Sequence, residues 1–379
     1  MSKKSYIKTF WNDKYFEMPD GFFKRKFNAI KFQFIKNKIN LVQPFMFICN
    51  KTCIADKSLI SNSFNGHFVF LKDSVIQQIY ERTLSDEDRN ELIENFKVLK
   101  DAYISVVVFP EKNITVFGRP SNLPEEITNF LVDSTYNFKF ISLVGTYFAQ
   151  PIWAEKFRPC DTRFHQQFSL NQYEIEGLSK YDINAVFNNY MPSSATTYSQ
   201  RYDPFIRSNK KAENLETVIY CCPNCKKLFT VYSEFNQLKC SDCGTAVEFS
   251  SNGNIMLSSN VTDLDSFADL QYDVLKKQFF NDKKPMLKHS AVKIMKQFGS
   301  NVSFAGIASV DIYCNKIKIN FPSYTEDIKL KTVKFVEFKP NNIVVLTTNN
   351  GDKIMLSGSH KQNFYIIHDL LKFMNEIKN

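Results

Sequence analysis

Two Cys-x-x-Cys pairs, Cys222-Pro223-Asn224-Cys225 and Cys240-Ser241-Asp242-Cys243-Gly244, stand fourteen residues apart in this chain. No other feature restricts its folding as much. Each pair forms a tight knuckle that aims two thiolates at one point, and two knuckles complete a tetrahedral four-sulfur site. Pro223 and Gly244 suit the turns. The donors are soft and anionic, which suits Zn2+, a closed-shell ion with no geometric demand of its own. The spacing predicts a zinc ribbon over residues 216–250. One structural Zn2+ would sit on Cys222, Cys225, Cys240 and Cys243, and 228–231 would be the intervening strand. Incidental or redox-active cysteines are the alternative, and the doubled spacing argues against them. Cys49, Cys53, Cys160 and Cys314 read as ordinary buried thiols.

A ribbon of this kind occupies a small part of 379 residues, a length suited to two or three domains. Hydrophobic residues make up 44% and charged residues 23%, so the chain has the apolar material for packed cores. Lys and Arg total 48 against 39 Asp and Glu, a net charge of +9 that favours anionic partners, nucleic acid or an acidic membrane surface. Apolar runs such as residues 104–109 fall far short of the roughly 20 residues of a spanning helix. The opening residues carry no apolar stretch of the kind found in secretory signals, so the expectation is a cytoplasmic protein.

The pattern divides the chain into six stretches. Residues 1–38 are basic and aromatic. Phe23, Phe27, Ile30 and Phe34 recur at helical spacing among lysines, which fits either an interfacial membrane helix or a packed amphipathic one. Residues 39–192 alternate strand and helix signals. Strands are predicted over 39–49, 103–109 and 139–147, and helices over 86–101, 124–134 and 180–190, with Ser85 and Ser179 as caps. This is an α/β pattern with mostly parallel pairing, a mixed sheet with flanking helices. A polar connector over 193–215 leads to the ribbon. A helical connector over 251–294 follows, with its helix near 267–280. Residues 295–379 then turn to period two, with Asn349-Asn350-Gly351-Asp352 as a hairpin turn and an amphipathic helix over 361–377. Strands followed by one closing helix resemble the pleckstrin-homology/GRAM order. Lys316, Lys318, Lys329, Lys331 and Lys334 fall on its strands as a solvent-facing or headgroup-binding set.

A second constellation lies where the first long strand ends, Asn50-Lys51-Thr52-Cys53-Ile54-Ala55-Asp56, with Phe109-Pro110-Glu111-Lys112 at the end of a later one. These segments resemble the first and third motifs of the 1-acylglycerol-3-phosphate acyltransferase family, Asn-His-x4-Asp and Phe-Pro-Glu-Gly-Thr-Arg. The resemblance continues through Gly145-Thr146-Tyr147 and Pro151-Ile152-Trp153-Ala154. It includes the ribbon, a feature of one bacterial branch, and covers roughly residues 20–250. It implies an α/β acyltransferase fold and transfer of a fatty acyl group to the free hydroxyl of lysophosphatidate, giving phosphatidate. The acyl donor would be an acyl-carrier protein, acyl-CoA or similar, and the protein would sit peripherally on the inner face of an anionic membrane. By position, Lys51 and Asp56 are the catalytic candidates, and Asn50, Glu111, Lys112 and Arg119 the substrate-binding ones.

The reactive residues depart from that pattern. Lys51 stands where the family has the His that deprotonates the acceptor, and free lysine ionises near 10.4, against about 6.5 for histidine. A neighbouring Asp56 would further favour the ammonium, so a Lys51–Asp56 ion pair is expected. Lys112, or Arg119 farther on, replaces the motif's phosphate-binding Arg. His67 and His165 are the other histidines of this stretch. The reading is a degenerate, weak or inactive relative that binds a lipid or partner at a membrane. The alternatives are an active acyltransferase with an altered base, and a zinc-ribbon nucleic-acid-binding protein.

Overall fold

The computed structural model describes residues 14–18, 39–53, 56–191, 194–195, 205–253, 255–256, 263–278, 284–299, 301–359 and 361–378. The expected amphipathic segment at 22–36 and most of the connector's first half lie outside these residues. The described chain groups into two compact units. One contains the described residues up to Thr115, then Arg119–Tyr147 and the described part of Pro159–Tyr198. The other contains Val116–Gly118, Phe148–Arg158 and the described residues from 205 onward.

In the first unit the strands are β1 (Phe16–Glu17), β2 (Ile39–Asn40), β3 (Phe45–Cys49), β4 (Phe64–Asn65), β5 (Phe68–Leu71), β6 (Ser105–Val108), β7 (Asn137–Val144) and β8 (Arg163–Leu170). β2 and β4 form a short parallel pair, and the other six make one sheet in the order β1-β5-β6-β3-β7-β8. The central four are parallel and the two edge strands antiparallel, which is the mixed sheet expected.

Parallel strands are covered on both faces, so they are written as continuous apolar runs. Successive side chains still point to opposite sides. Met46, Ile48, Val69, Leu71, Val106 and Val108 enter one core. It is closed by α2 (Asp73–Glu81), α3 (Asp86–Asp101), α4 (Glu125–Val132), α5 (Gln172–Glu176) and α6 (Lys180–Tyr190). Phe47, Cys49, Phe68, Phe70 and Val107 enter the other core, with Leu59 and Ile60 of α1 (Asp56–Ser63). Ser85 and Ser179 accept the N–H groups of Asp88 and Asp182, capping α3 and α6 as expected.

Three element ends differ from the sequence reading. The 39–49 strand is two pieces, with a break through Pro44, which has no N–H to give a ladder. Tyr103 is exposed at φ 57 in the turn that closes α3, so β6 starts only at Ser105. β7 ends at Val144 because Gly145 turns the chain at φ +83; a Cβ there would lie 2.1 Å from the Asp161 carbonyl oxygen.

In the second unit β9 (Val231–Glu234), β10 (Gln237–Cys240), β11 (Ala246–Phe249) and β12 (Ile255–Met256) form an antiparallel sheet, followed by α7 (Leu264–Gln278). The predicted strand at 228–231 is confined to its last residue, since Lys226 and Phe229 take positive φ in the knuckle. Seven strands follow: β13 (Leu287–Phe298), β14 (Asn301–Ile312), β15 (Lys316–Asn320), β16 (Thr325–Lys329), β17 (Val333–Lys339), β18 (Ile343–Thr348) and β19 (Lys353–Ser357). They pair antiparallel in the order β16-β15-β14-β13-β19-β18-β17, and α8 (Tyr365–Lys378) ends the chain's described part. Gly351 takes φ 88 in the β18–β19 turn, where the hairpin signal lay. Among the described residues no helix is long and apolar enough to cross a membrane.

The first core depends on interlocked aromatic rings. Phe96 of α3 is fully buried and meets Phe16, Phe130 and Tyr136 at centroid distances of 5.5, 5.9 and 6.3 Å. Phe96→Ala should therefore destabilise the first unit by about 3–5 kcal/mol, read as a lower denaturant midpoint at unchanged slope.

Candidate functional site

Parallel strands deliver their following loops to one edge of a sheet, where ligands of such folds bind. Here β3, β6 and β7 deliver residues 50–53, 109–115 and 145–146 to the same edge, where Asp56 opens α1. Two buried carboxylates hold these loops. Asp56 accepts the N–H groups of Thr52 and Cys53 at 2.6 and 2.8 Å, the Thr52 hydroxyl at 2.9 Å and the Cys53 thiol at 3.4 Å. The Thr52 hydroxyl lies 2.6 Å from that of Thr146, tying the loop to the end of β7. Glu111 accepts the Lys51 N–H at 2.5 Å and the Ser121 N–H at 2.9 Å. Burial pushes Asp56 up to about 6 and Glu111 up to about 7, against the downward pull of these hydrogen bonds.

A cleft of about 230 Å³ opens beside these loops, lined by Glu17, Lys51, Cys53, Asp56, Lys57, Asp73, Phe109 and Ile114. Lys51 extends into it, but its ammonium pairs with Asp73 at 3.0 Å, not with Asp56. The expected Lys51–Asp56 pair fails because Asp56 spends both oxygens on the loop it begins to close. Lys57 reaches the other Asp73 oxygen at 3.1 Å and also pairs with Glu17. Burial works to raise Asp73, and the two ammonium groups outweigh it, holding the carboxyl below its ordinary range.

The remaining candidates lie in different surroundings. Asn50 is buried; its amide donates to the Leu143 carbonyl at 3.4 Å and accepts the Leu143 N–H at 2.7 Å, a clamp between β3 and β7. Lys112 pairs with Glu81 at 3.2 Å. Arg119 and His67 are exposed, and neither they nor His165 line the cleft. Lys57 and Asp73 were missed by the sequence reading, which named Thr146 without giving it a role. Asp73 stands two positions past the apolar run 68–71, after Lys72, so it had a strand-exit signal like that of Lys51.

The four ribbon cysteines converge, their sulfur atoms all within 4.8 Å of one another. Cys222 and Cys243 lie 3.6 Å apart, and Cys225 and Cys240 3.8 Å. A tetrahedron of sulfurs about 2.3 Å from one ion has edges near 3.8 Å, so the donors fit a metal. Asn224 donates its amide to the Cys243 sulfur at 3.8 Å and to the Thr245 hydroxyl at 2.9 Å. Hydrogen bonds from Thr245 pull the Cys243 thiol down to about 5.

A scan of protein-family models and a search of curated proteins each find no match. Among solved structures the chain is similar to the crystal structure of the 1-acyl-sn-glycerophosphate (LPA) acyltransferase, PlsC, from Thermotoga maritima. Identity is 19%, coverage 48% of this chain and 78% of that chain, and the TM-score 0.32. A likeness at that level carries no argument about fold or activity.

The raised carboxyl groups give a pH signature. Glu111 ionises near 4.5 when unfolded and about 7 when folded, so the folded state holds an extra proton between those values. Its contribution to stability is full below about 4.5 and lost as pH rises through 7, on the order of 3 kcal/mol in all. Asp56 acts in the same sense, over 3.8 to about 6. Glu111→Gln should therefore show a flatter dependence of thermal unfolding on pH between 5 and 7.5 than the parent. Parallel curves for the two proteins would contradict this origin.

Proposed function

We propose that the first unit is an acyltransferase-like domain that has lost its catalytic base and binds a lysophospholipid or a related anionic acyl lipid with little or no turnover. The observation that carries this reading is the Lys51–Asp73 ion pair inside the cleft. A general base must offer a lone pair to the acceptor hydroxyl. The Lys51 nitrogen is instead engaged with the Asp73 carboxylate at 3.0 Å. Asp56, which would orient a base, is committed to Thr52 and Cys53. Lys51 and Lys57 remain suited to a phosphate, which would replace Asp73 as their common anion. The net charge of +9 and the aromatic–lysine alternation at 22–36 support an anionic membrane as the place of action.

Incubated with lysophosphatidate and either acyl-CoA or acyl-carrier protein, the full chain should form no phosphatidate above background. Titration calorimetry should nevertheless detect lysophosphatidate, with binding weakened in Lys51→Glu. Robust turnover that Lys51→Ala abolishes would make Lys51 a working base and overturn the proposal.

The ribbon's metal is, on this reading, structural Zn2+. Four thiolates at tetrahedral separations suit it, and a site closed by four protein ligands leaves no position for substrate. In comparable peptides such an ion contributes roughly 10–16 kcal/mol to folding. Freshly purified protein should contain one equivalent of zinc, and Cys240→Ser should lose it together with the protection of the remaining thiols. Well under one equivalent, or four freely reactive thiols in the parent, would contradict the assignment.

A further inference from the structure

The β13–β14 hairpin leaves one sheet edge open. β15 pairs with β14 only over residues 309–312, while β13 lines its other side from 301 to 312. Phe321 packs against Gly306, and a bulge falls at Ala305 opposite the Ile294–Met295 step. Among the described residues, the stretch 301–305 therefore has a strand on one side only. Val302 is 49% and Phe304 64% exposed, and both lie on one face, opposite Gln297 and Met295.

Edges of this kind are ordinarily blunted by lysine, proline or another charge. Asn301-Val302-Ser303-Phe304-Ala305 contains none of these. A bilayer is a poor occupant, because hydrocarbon cannot satisfy the free backbone N–H and C=O groups of an open edge. The nearby Lys296 is already paired with Glu326 at 2.6 Å. What suits both the backbone and the side chains is another strand.

We infer that this edge pairs antiparallel with the same edge of a second copy, joining two seven-stranded sheets across a two-fold axis at Ser303. The register is self-complementary. With Ser303 opposite its symmetry mate, Val302 of each copy faces Phe304 of the other, twice over, and 301 faces 305. All five pairs fall within the open stretch, and no like charges meet. Branched–aromatic cross-strand pairs of this type are favourable, and a two-fold contact makes each one twice. This inference is independent of the reading of the cleft.

Sedimentation equilibrium of the full chain over a dilution series should show a reversible monomer–dimer equilibrium. Val302→Lys and Phe304→Glu, both at exposed positions, should each weaken it about tenfold or more. Mixed one to one, these two variants should dimerise more tightly than either alone, because the register sets the new cation opposite the new anion. A misfolded hairpin would not give that recovery. A parent chain that stays monomeric throughout, or variants that show no recovery on mixing, would overturn the inference. So would binding of the monomer to anionic vesicles through Phe304, which would assign the edge to a membrane instead.

Discussion

Two carboxylates placed under the loops of a parallel sheet, with their oxygens on backbone N–H groups, hold the candidate site of this protein in shape. Asp56 fixes residues 52 and 53, and Glu111 links residue 51 to residue 121. Carboxylates buried this deeply would be costly without those donors. Their placement frees Lys51 from Asp56 and leaves its ammonium to Asp73. The chemistry available to the cleft follows from that division of partners. Acidic groups organise the backbone beneath, and two cations share one anion above.

The sheet is readable in the sequence because burial on both faces needs unbroken apolar runs, as at 45–49 and 105–108. The cysteine cluster is readable because four thiols that could hold one ion must lie at fixed offsets. Helices α3 and α6 announce themselves through Ser85 and Ser179, whose hydroxyls are placed to take the first free N–H groups. The strand ends were less legible. Tyr103 looks like a strand residue by its side chain, yet the closing turn of α3 holds it at positive φ.

The site was legible by position but not by partner. Residues 50–53, Asp56 and residues 109–112 lie along one edge of the sheet. Spacing along the chain, however, cannot reveal that Asp73, twenty-two residues beyond Lys51, enters the same cleft. Ion pairs of this kind form between loops that meet only after the sheet is assembled. The same limit hid the partner of Thr146, whose hydroxyl contact with Thr52 spans 94 positions.

The strap that leads into the first ribbon knuckle has a comparable long-range tie. Tyr220, two residues before Cys222, donates its hydroxyl to Asp369 of α8 at 2.6 Å, across 149 positions of sequence. Its N–H goes to Gln271 of α7, and the Glu216 carbonyl accepts the Asn363 amide. During synthesis the knuckles leave the ribosome well before these partners exist. Until then the Tyr220 hydroxyl can be satisfied only by water or by a provisional neighbour. The second unit is thus bound to finish late, after its last helix has been made. A chain cut short before α8 would present its two cysteine knuckles on an unfinished foundation.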